Sequence, residues 1–335
     1  MKEPEDTSSR PLLSAGAGEG PKSFFSQARH DRVLASGRDI PEERPSFAIH
    51  LNAVGISAKT VWVGLPQGRL SFDLRLEVDL RAERRGIHMS RLEEAITQLH
   101  GHDFVDLRDY ALELVNLVIP AQDARWGRVE LIGKLPRFSQ TGISGRVSLD
   151  SLNVRVEVET ERVGSKWRQI VGLEVGVNHI TACPCTQVYN LLLLSAAETS
   201  TPDDQEVLMP THSQRSHTRL AVFSQQGMVG SKAPGHETLL ACLASALHLS
   251  QDLLKRPDEA ELVYAAHRYP QFAEDAVRET ARAAGKILGP LLPSGSRILI
   301  RTVGLESIHS HDVHCRLDTT LATIRPMIKI TKLKR

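Results

Sequence analysis

The chain has 335 residues, 41% apolar and 24% charged, with 41 Lys and Arg against 40 Asp and Glu for a formal charge of +1. That length and mixture suit a globular protein with one large core or two ordinary ones. The near-neutral balance argues against bulk attachment to nucleic acid, which needs a basic face. No long apolar run appears; "LLLL" at 191–194 is far too short to span a bilayer, which takes about 20 residues. The N-terminal "MKEPEDTSSR" is acidic and polar, unlike a secretory signal. Four cysteines and 14 histidines, in a chain that needs no disulfide to build a core, point to a reducing, cytoplasmic setting and to metal or nucleophile chemistry.

Residues 1–44, rich in Ser, Gly, Pro and charge, read as a mobile N-terminal tail. Strand patterns follow in "FAIHLNAVGISAKTVWV" and "GRLSFDLRLEVDLRAE", joined by the turn "GLPQG". In the second, Leu74, Leu76, Val78 and Leu80 alternate with charged residues, the mark of a sheet with one wet and one dry face. Ser90 followed by Glu93 reads as a capping box opening a helix, and "LRDYALELVNLVI" as a second helix. Three strand patterns come next, "GRVELIGKL", "GRVSLDSLNVRVEVE" and "WRQIVGLEVGV".

Beyond residue 179 the order of elements recurs: the strand "SHTRLAVFSQ", the helices "HETLLACLASALHLSQDLL" and "PQFAEDAVRETARAAGKIL", then the strands "SRILIRTVGLES" and "DVHCRLDTTLATI". Two passes of strands, helices and strands predict an internally duplicated α+β unit.

The polar clusters carry the chemistry. Cys183-Pro184-Cys185 is expected to be extended or turned, because proline disfavours a helical residue before it, and a thiolate there suits metal ligation or nucleophilic attack. His212 and His217 flank Arg215 in "HSQRSH", and Arg215 offers a donor fork for phosphate or carboxylate. Glu306, His309, His311 and Asp312 gather in "LESIHSHDVH"; in an extended segment the two imidazoles would share a face. Arg84, Arg85, His88 and Arg91 form a basic cluster where a strand meets a helix, suited to phosphate oxygens. Glu259 and Glu274 carry no local signal and read as solvated helix positions. Together these residues predict a mixed Cys/His/Glu metal site, zinc or ferrous iron, beside a phosphate-binding region. They do not identify a reaction.

Taken in order, "RGIHMSR", "CPCTQ", "HSQRSH", "LLKRPDE…PQFAEDAVRE" and "ESIHSHD" resemble the type IB GTP cyclohydrolases from about residue 41 to the C-terminus. The resemblance implies a tunnelling fold of two ββααββ units per subunit, with antiparallel sheets and helices on the outer face. The first unit would span about residues 45–178 and the second 179–335. It implies a homo-oligomer, a tetramer, with sites at subunit interfaces. The implied substrate is GTP, hydrolysed at C8 with release of formate and rearrangement to 7,8-dihydroneopterin triphosphate, the entry to folate and pterin synthesis. A divalent metal (Zn, Mn or Fe) would activate the attacking water near neutral pH, and the later proton transfers suit His and Cys.

Carried over by position, Cys185 resembles the family's metal-binding and catalytic cysteine. His212, Glu259 and His309 would complete the metal ligands. Glu274 resembles the glutamate that accepts hydrogen bonds from guanine. Arg215, His217, His88, Arg85 and Arg91 would lie near the triphosphate or carry protons, with His217 counted among the catalytic groups, and His311 and Asp312 would support the ligands. The twenty-six residues between Cys185 and His212 exceed the bacterial connection. This insertion, 188–211, resembles the archaeal-type GTP cyclohydrolases, which use ferrous iron and yield 7,8-dihydroneopterin 2′,3′-cyclic phosphate; a helix and a mobile lid are expected there. Two other readings remain. One is a metal-free nitrile reductase of the same fold, although its expected motif is missing here. The other is a structural zinc protein using Cys183, Cys185, Cys242 and Cys315, which would leave the histidines unexplained.

Overall fold

The computed structural model describes residues 24–196, 208–230 and 232–333. In chain order the elements are helix α1 (Gln27–Ser36), strands β1 (Leu51–Leu65) and β2 (Gly68–Leu80), helices α2 (Met89–Gln98) and α3 (Leu107–Gln122), and strands β3 (Trp126–Gln140), β4 (Val147–Val163) and β5 (Lys166–Ala182). There follow α4 (Pro184–Ala196), β6 (Ser213–Ser224), α5 (His236–Ala244), the short β7 (His248–Leu249), α6 (Arg256–Arg268), α7 (Ala273–Ile287), β8 (Arg297–Gly304), β9 (Val313–Thr320) and α8 (Leu321–Leu333). The lid expected beyond α4 lies at 197–207, outside the described residues.

The strands form one nine-stranded antiparallel sheet, ordered β1-β2-β3-β4-β5-β6-β8-β9, with β7 paired to the end of β5. This corrects the expectation of a tunnelling fold made of two ββααββ units. β5 runs through the expected boundary at 178/179 and is laddered to both neighbours, from Asn153↔Gly176 to Val163↔Lys166 with β4 and from Val171↔Ser224 to Ala182↔Ser213 with β6. Long antiparallel neighbours share one uninterrupted set of backbone hydrogen bonds, so nothing separates two halves. Nor does the second half repeat the first. It has a helix between β5 and β6 and three helices between β6 and β8.

Period-two alternation divides the sheet into a dry and a wet face. Phe72, Leu74, Leu76 and Val78 of β2, Val154, Val156 and Val158 of β4, and Val171, Leu173, Val175 and Val177 of β5 are buried. They join one core with Leu114, Val115 and Val118 of α3, Leu239 and Leu243 of α5, and Val277 and Ala284 of α7. Each such side chain contributes about 1.5–3 kcal/mol of transfer free energy. The opposite face is charged. Arg128 pairs with Glu157 and Glu77, Arg155 with Glu130 and Glu157, and Arg301 with Glu174.

Local details depart from the sequence reading. The cap of α2 is His88 and not Ser90, and Glu93 binds Lys59 instead of closing a capping box. Gln122 at the end of α3 brackets His88, accepting from its backbone N–H at 3.0 Å and donating to its carbonyl at 2.8 Å. The capping box lies at α3, where Asp106 accepts from the Arg108 N–H and Asp109 from the Asp106 N–H. The helix expected over 236–254 stops at Ala244, because His248 and Leu249 pair with Ile180 and His179.

Candidate functional site

The site begins where β5 and β6 end together. Ala182↔Ser213 is their last pair, and the backbone N–H of Cys183 then donates to the His212 carbonyl at 3.1 Å. Thr211 Oγ1 donates to the Cys183 carbonyl at 2.7 Å, so Cys183 is tied to the Thr211–His212 segment through both its backbone N–H and its carbonyl. Pro184 opens α4, a position where its fixed φ and missing N–H suit a helix. Cys185 therefore sits in the first turn of α4, exposed, and not in the extended or turned segment that was expected, while Cys183, the residue before the proline, stays outside the helix. Cys183 is half-buried, with the Thr186 hydroxyl 3.7 Å from its Sγ.

Three imidazoles converge beside this corner. His212 and His309 have ring centroids 6.4 Å apart at an interplanar angle of 89°, and His309 stacks on His311 at 5.3 Å and 19°. The segment carrying His309 is a bend rather than a strand, and it is anchored to β6. Leu305 N–H donates to the Arg215 carbonyl at 3.0 Å, and Gln214 Nε2 donates to Glu306 Oε1 at 3.0 Å. The Nδ1 atom of His212 is buried and has no hydrogen-bond partner. A buried, unpartnered ring nitrogen on an imidazole next to a second one, in a segment bonded to the Cys183 backbone, suits a borderline divalent metal.

The remaining expected ligands stand further out. Glu259 is exposed in the first turn of α6, a helix joined to α4 by the 2.7 Å bond from Gln187 Nε2 to the His267 carbonyl. Asp258 beside it turns inward instead. Its carboxylate accepts from the backbone N–H groups of Ile143, Ser144 and Lys255 and from the Ser144 hydroxyl, which hold its pKa well below the usual range. Glu274 is exposed in the first turn of α7; burial first, and then the Glu274 charge, raise the Cys315 thiol pKa. Asp312 and His311 are exposed. Among the described residues the Cys185, His212, Glu259 and His309 donor atoms do not gather within 4.8 Å; the one such group is Asp39, Glu42 and His88.

That group belongs to the basic cluster, and it changes the cluster's meaning. His88 Nε2 lies 2.9 Å from Glu42 Oε1, Arg84 pairs with Glu42 and Arg85 with Glu43. Arg84 and Arg91 donate to the carbonyls of Gln122 and Ala121, at the C-terminus of α3, where cations oppose the helix dipole. The cluster expected to hold phosphate thus closes a helix end and clamps residues 39–43.

Arg215 and His217 lie on the charged face of β6. His217 Nδ1 is 3.1 Å from Asn178 Oδ1, and Arg219 Nε donates to His217 Nε2 at 3.1 Å. Because Arg219 can only donate, Nε2 carries the electron pair and Nδ1 the proton. Burial, reinforced by Arg219, lowers the His217 pKa and keeps the ring neutral.

Sequence reasoning passed over His179. It continues the inward series Val175, Val177 of β5, is fully buried, and has its pKa lowered to about 4 by burial. Its Nε2 lies 2.7 Å from Thr218 Oγ1, which is 2.8 Å from Thr302 Oγ1. With the Thr181–Ser216 pair at 2.8 Å, these groups form a polar seam under the end of the sheet that bears Cys183 and His212. The available signal was a histidine at an inward strand position just before the C-x-C.

Residues 38–315 match the family model described as "GCHY-1: Type I GTP cyclohydrolase folE2". Similar proteins include "GTP cyclohydrolase MptA" of Thermoplasma acidophilum, 29% identical over 86% of this chain and 97% of that protein. "GTP cyclohydrolase MptA" of Aeropyrum pernix is 29% identical over 86% and 98%, and that of Methanocaldococcus jannaschii 27% over 86% and 96%. Among solved structures, a uricase from Bacillus fastidious aligns with 82% of this chain and 96% of its own at a TM-score of 0.48 and 11% identity, too distant to assign a fold or an activity.

Proposed function

The chain belongs to the type I GTP cyclohydrolase folE2 family, and on that premise we propose that it opens the guanine ring of GTP in a metal-dependent hydrolysis at C8, the type IB reaction that releases formate and yields 7,8-dihydroneopterin triphosphate. The observation that carries this reading is the unpartnered, buried Nδ1 of His212, whose ring lies 6.4 Å from that of His309 beside the Cys183-Pro-Cys185 corner.

In this reading His212, His309 and the Cys185 thiol hold a zinc, manganese or ferrous ion, with Glu259 as a further ligand and His311 and Asp312 orienting the imidazoles. The bound ion supplies Lewis acidity at neutral pH. The chain's own groups do the rest. Glu274 accepts hydrogen bonds from the guanine edge, and a carboxylate left unpaired by any other base gives selectivity. Arg215 contacts phosphate. His217, neutral and carrying its proton on Nδ1, transfers protons once Arg219 releases its Nε2. Since the backbone of Cys183 is bonded to that of His212, Cys183→Ser and Cys185→Ser together decide which sulfur is essential.

A second reading, closure to the 2′,3′-cyclic phosphate, is favoured by the near full-length similarity to proteins named GTP cyclohydrolase MptA. The test is an anaerobic incubation with GTP and Zn²⁺, Mn²⁺ or Fe²⁺ in turn, with the pterin identified by mass spectrometry. A triphosphate pterin supports the first product and a cyclic phosphate the second. Absence of any pterin from the folded, metal-loaded protein rejects both. Assembly as a homotetramer is part of the proposal and is checked by light scattering.

A further inference from the structure

Three arginines stand side by side on the charged face of the sheet. Arg219 of β6 is the direct cross-strand partner of Arg301 of β8, and Arg301 of Arg316 of β9. Like charges placed directly opposite one another destabilise a sheet, so such a row calls for compensation. The compensation present is incomplete. Glu174 accepts from Arg301 at 2.6 Å and lies 3.8 Å from Arg219, while Asp318 serves both Arg297 and Arg316. Four guanidinium groups therefore share two carboxylates, a local excess of two positive charges in a chain whose total is +1.

The cross-strand partner of Arg219 on β5 is Gly176, which adds no counter-charge; the Arg219 stem and the His217 ring lie over it. Arg297 and Arg301 also line a cavity of about 620 Å³ on this face, with the Phe223 ring in its wall and the Arg297 guanidinium 5.4 Å from the centre of that ring. The row touches the proposed proton carrier at one end, where Arg219 Nε donates to His217 Nε2 at 3.1 Å, and Arg301 and Arg316 continue away from it on β8 and β9; Arg219 is seven residues along the chain from His212, roughly 23 Å at strand spacing.

We propose that the row Arg219–Arg301–Arg316, with the adjoining cavity, is an oligophosphate-binding site separate from the Cys/His corner. Planar guanidinium forks match phosphate oxygens two at a time, and several in one row match a chain of phosphates better than a single anion. The ligand is either the phosphate tail of a nucleotide passing along this face or a free oligophosphate. The site does not depend on the reaction proposed above.

The test is titration calorimetry with inorganic tripolyphosphate on the full chain, without added metal, for the parent protein, Arg316→Gln, Arg301→Gln and the double variant. Arg316→Lys serves as a charge-conserving control, and thermal melts verify folding. The expected result is saturable binding, weakened about tenfold by each Gln substitution, which is about 1.4 kcal/mol, and weakened less by the Lys control, which keeps the charge and loses the fork. Unchanged binding in a folded double variant overturns the site. A raised KM for GTP at constant kcat in the same variants assigns the ligand as the nucleotide's own tail; an unchanged KM with lost tripolyphosphate binding assigns it as free oligophosphate. Since tripolyphosphate binding is read without turnover, failure of the cyclohydrolase reading leaves this result intact and distinguishable.

Discussion

The His212 and His309 rings stand perpendicular with centroids 6.4 Å apart, although one lies where β6 begins and the other in the bend between β8 and β9. Pairing of β6 with β8 from Phe223↔Arg297 to Ser216↔Gly304 brings these segments together. If they hold the metal, His212→Ala and His309→Ala should each weaken metal binding by more than the roughly 10- to 100-fold that loss of a supporting partner costs. Metal content after dialysis, measured by plasma mass spectrometry, checks this. Full occupancy in both variants removes the imidazoles from the ligand set.

The buried His179 makes stability depend on pH. Its folded pKa, lowered to about 4, lies below the unfolded value near 6.5, so between these the unfolded chain binds a proton that the native protein does not. Stability is therefore highest above about pH 6.5, falls as pH drops toward 4, and levels off for this group below that. The loss amounts to about 3 kcal/mol at most. Denaturant unfolding at pH 7.5 and 5 should show it, and His179→Gln should remove that part of the slope. An identical slope in the variant contradicts the assignment.

Asp106 caps α3 and also pairs with Arg108, which is 4% exposed and donates on to the carbonyls of Met228 and Pro234. Asp106→Ala removes the cap and strands a buried cation, an expected loss of about 3–5 kcal/mol. Asp106→Asn keeps a capping oxygen and should lose less. Equal melting temperatures for the two variants would show that the capping oxygen contributes nothing and that the whole loss belongs to the ion pair with Arg108.

Asp258 holds the turn between β3 and β4 through the backbone N–H groups of Ile143 and Ser144 and the Ser144 hydroxyl, and accepts from the Lys255 N–H at the start of its own helix. Asp258→Ala should speed hydrogen exchange at Ile143 and Ser144 and lower the melting temperature, while Glu259→Ala next to it should leave both unchanged and affect metal affinity alone. Identical exchange in the two variants would refute this division of labour.

The strands were legible because alternation is a local signal: the run Leu74, Leu76, Val78, Leu80 is the inward face of β2. What sequence could not show was how the strands join. A boundary at 178 looked natural from the recurring order of elements, yet β5 runs through it with partners on both sides, a long-range fact of register. Start signals misled in the same way. Ser90 and Glu93 have the right spacing for a capping box, but Glu93 is drawn to Lys59 from a distant strand. The cysteine corner was partly legible. Proline after Cys183 suggested an extended or turned segment; Cys183 is non-helical, but the proline opens α4 and places Cys185 on a helix. The basic cluster was visible as charge, but its acidic partners Glu42 and Glu43 lay in a segment read as tail. α6 escaped because its mixed, weakly patterned surface has little apolar stripe. Glu259 and Glu274 were raised above ordinary helix positions only by family resemblance, and both are exposed in the structure.

The most direct test of the central claim uses GTP labelled with ¹³C at C8 and protein loaded anaerobically with a single divalent metal. The account predicts labelled formate released in step with GTP consumed, abolished by chelator and by His212→Ala. Unlabelled formate, or GTP consumed to GDP and phosphate with the ring intact, would contradict it.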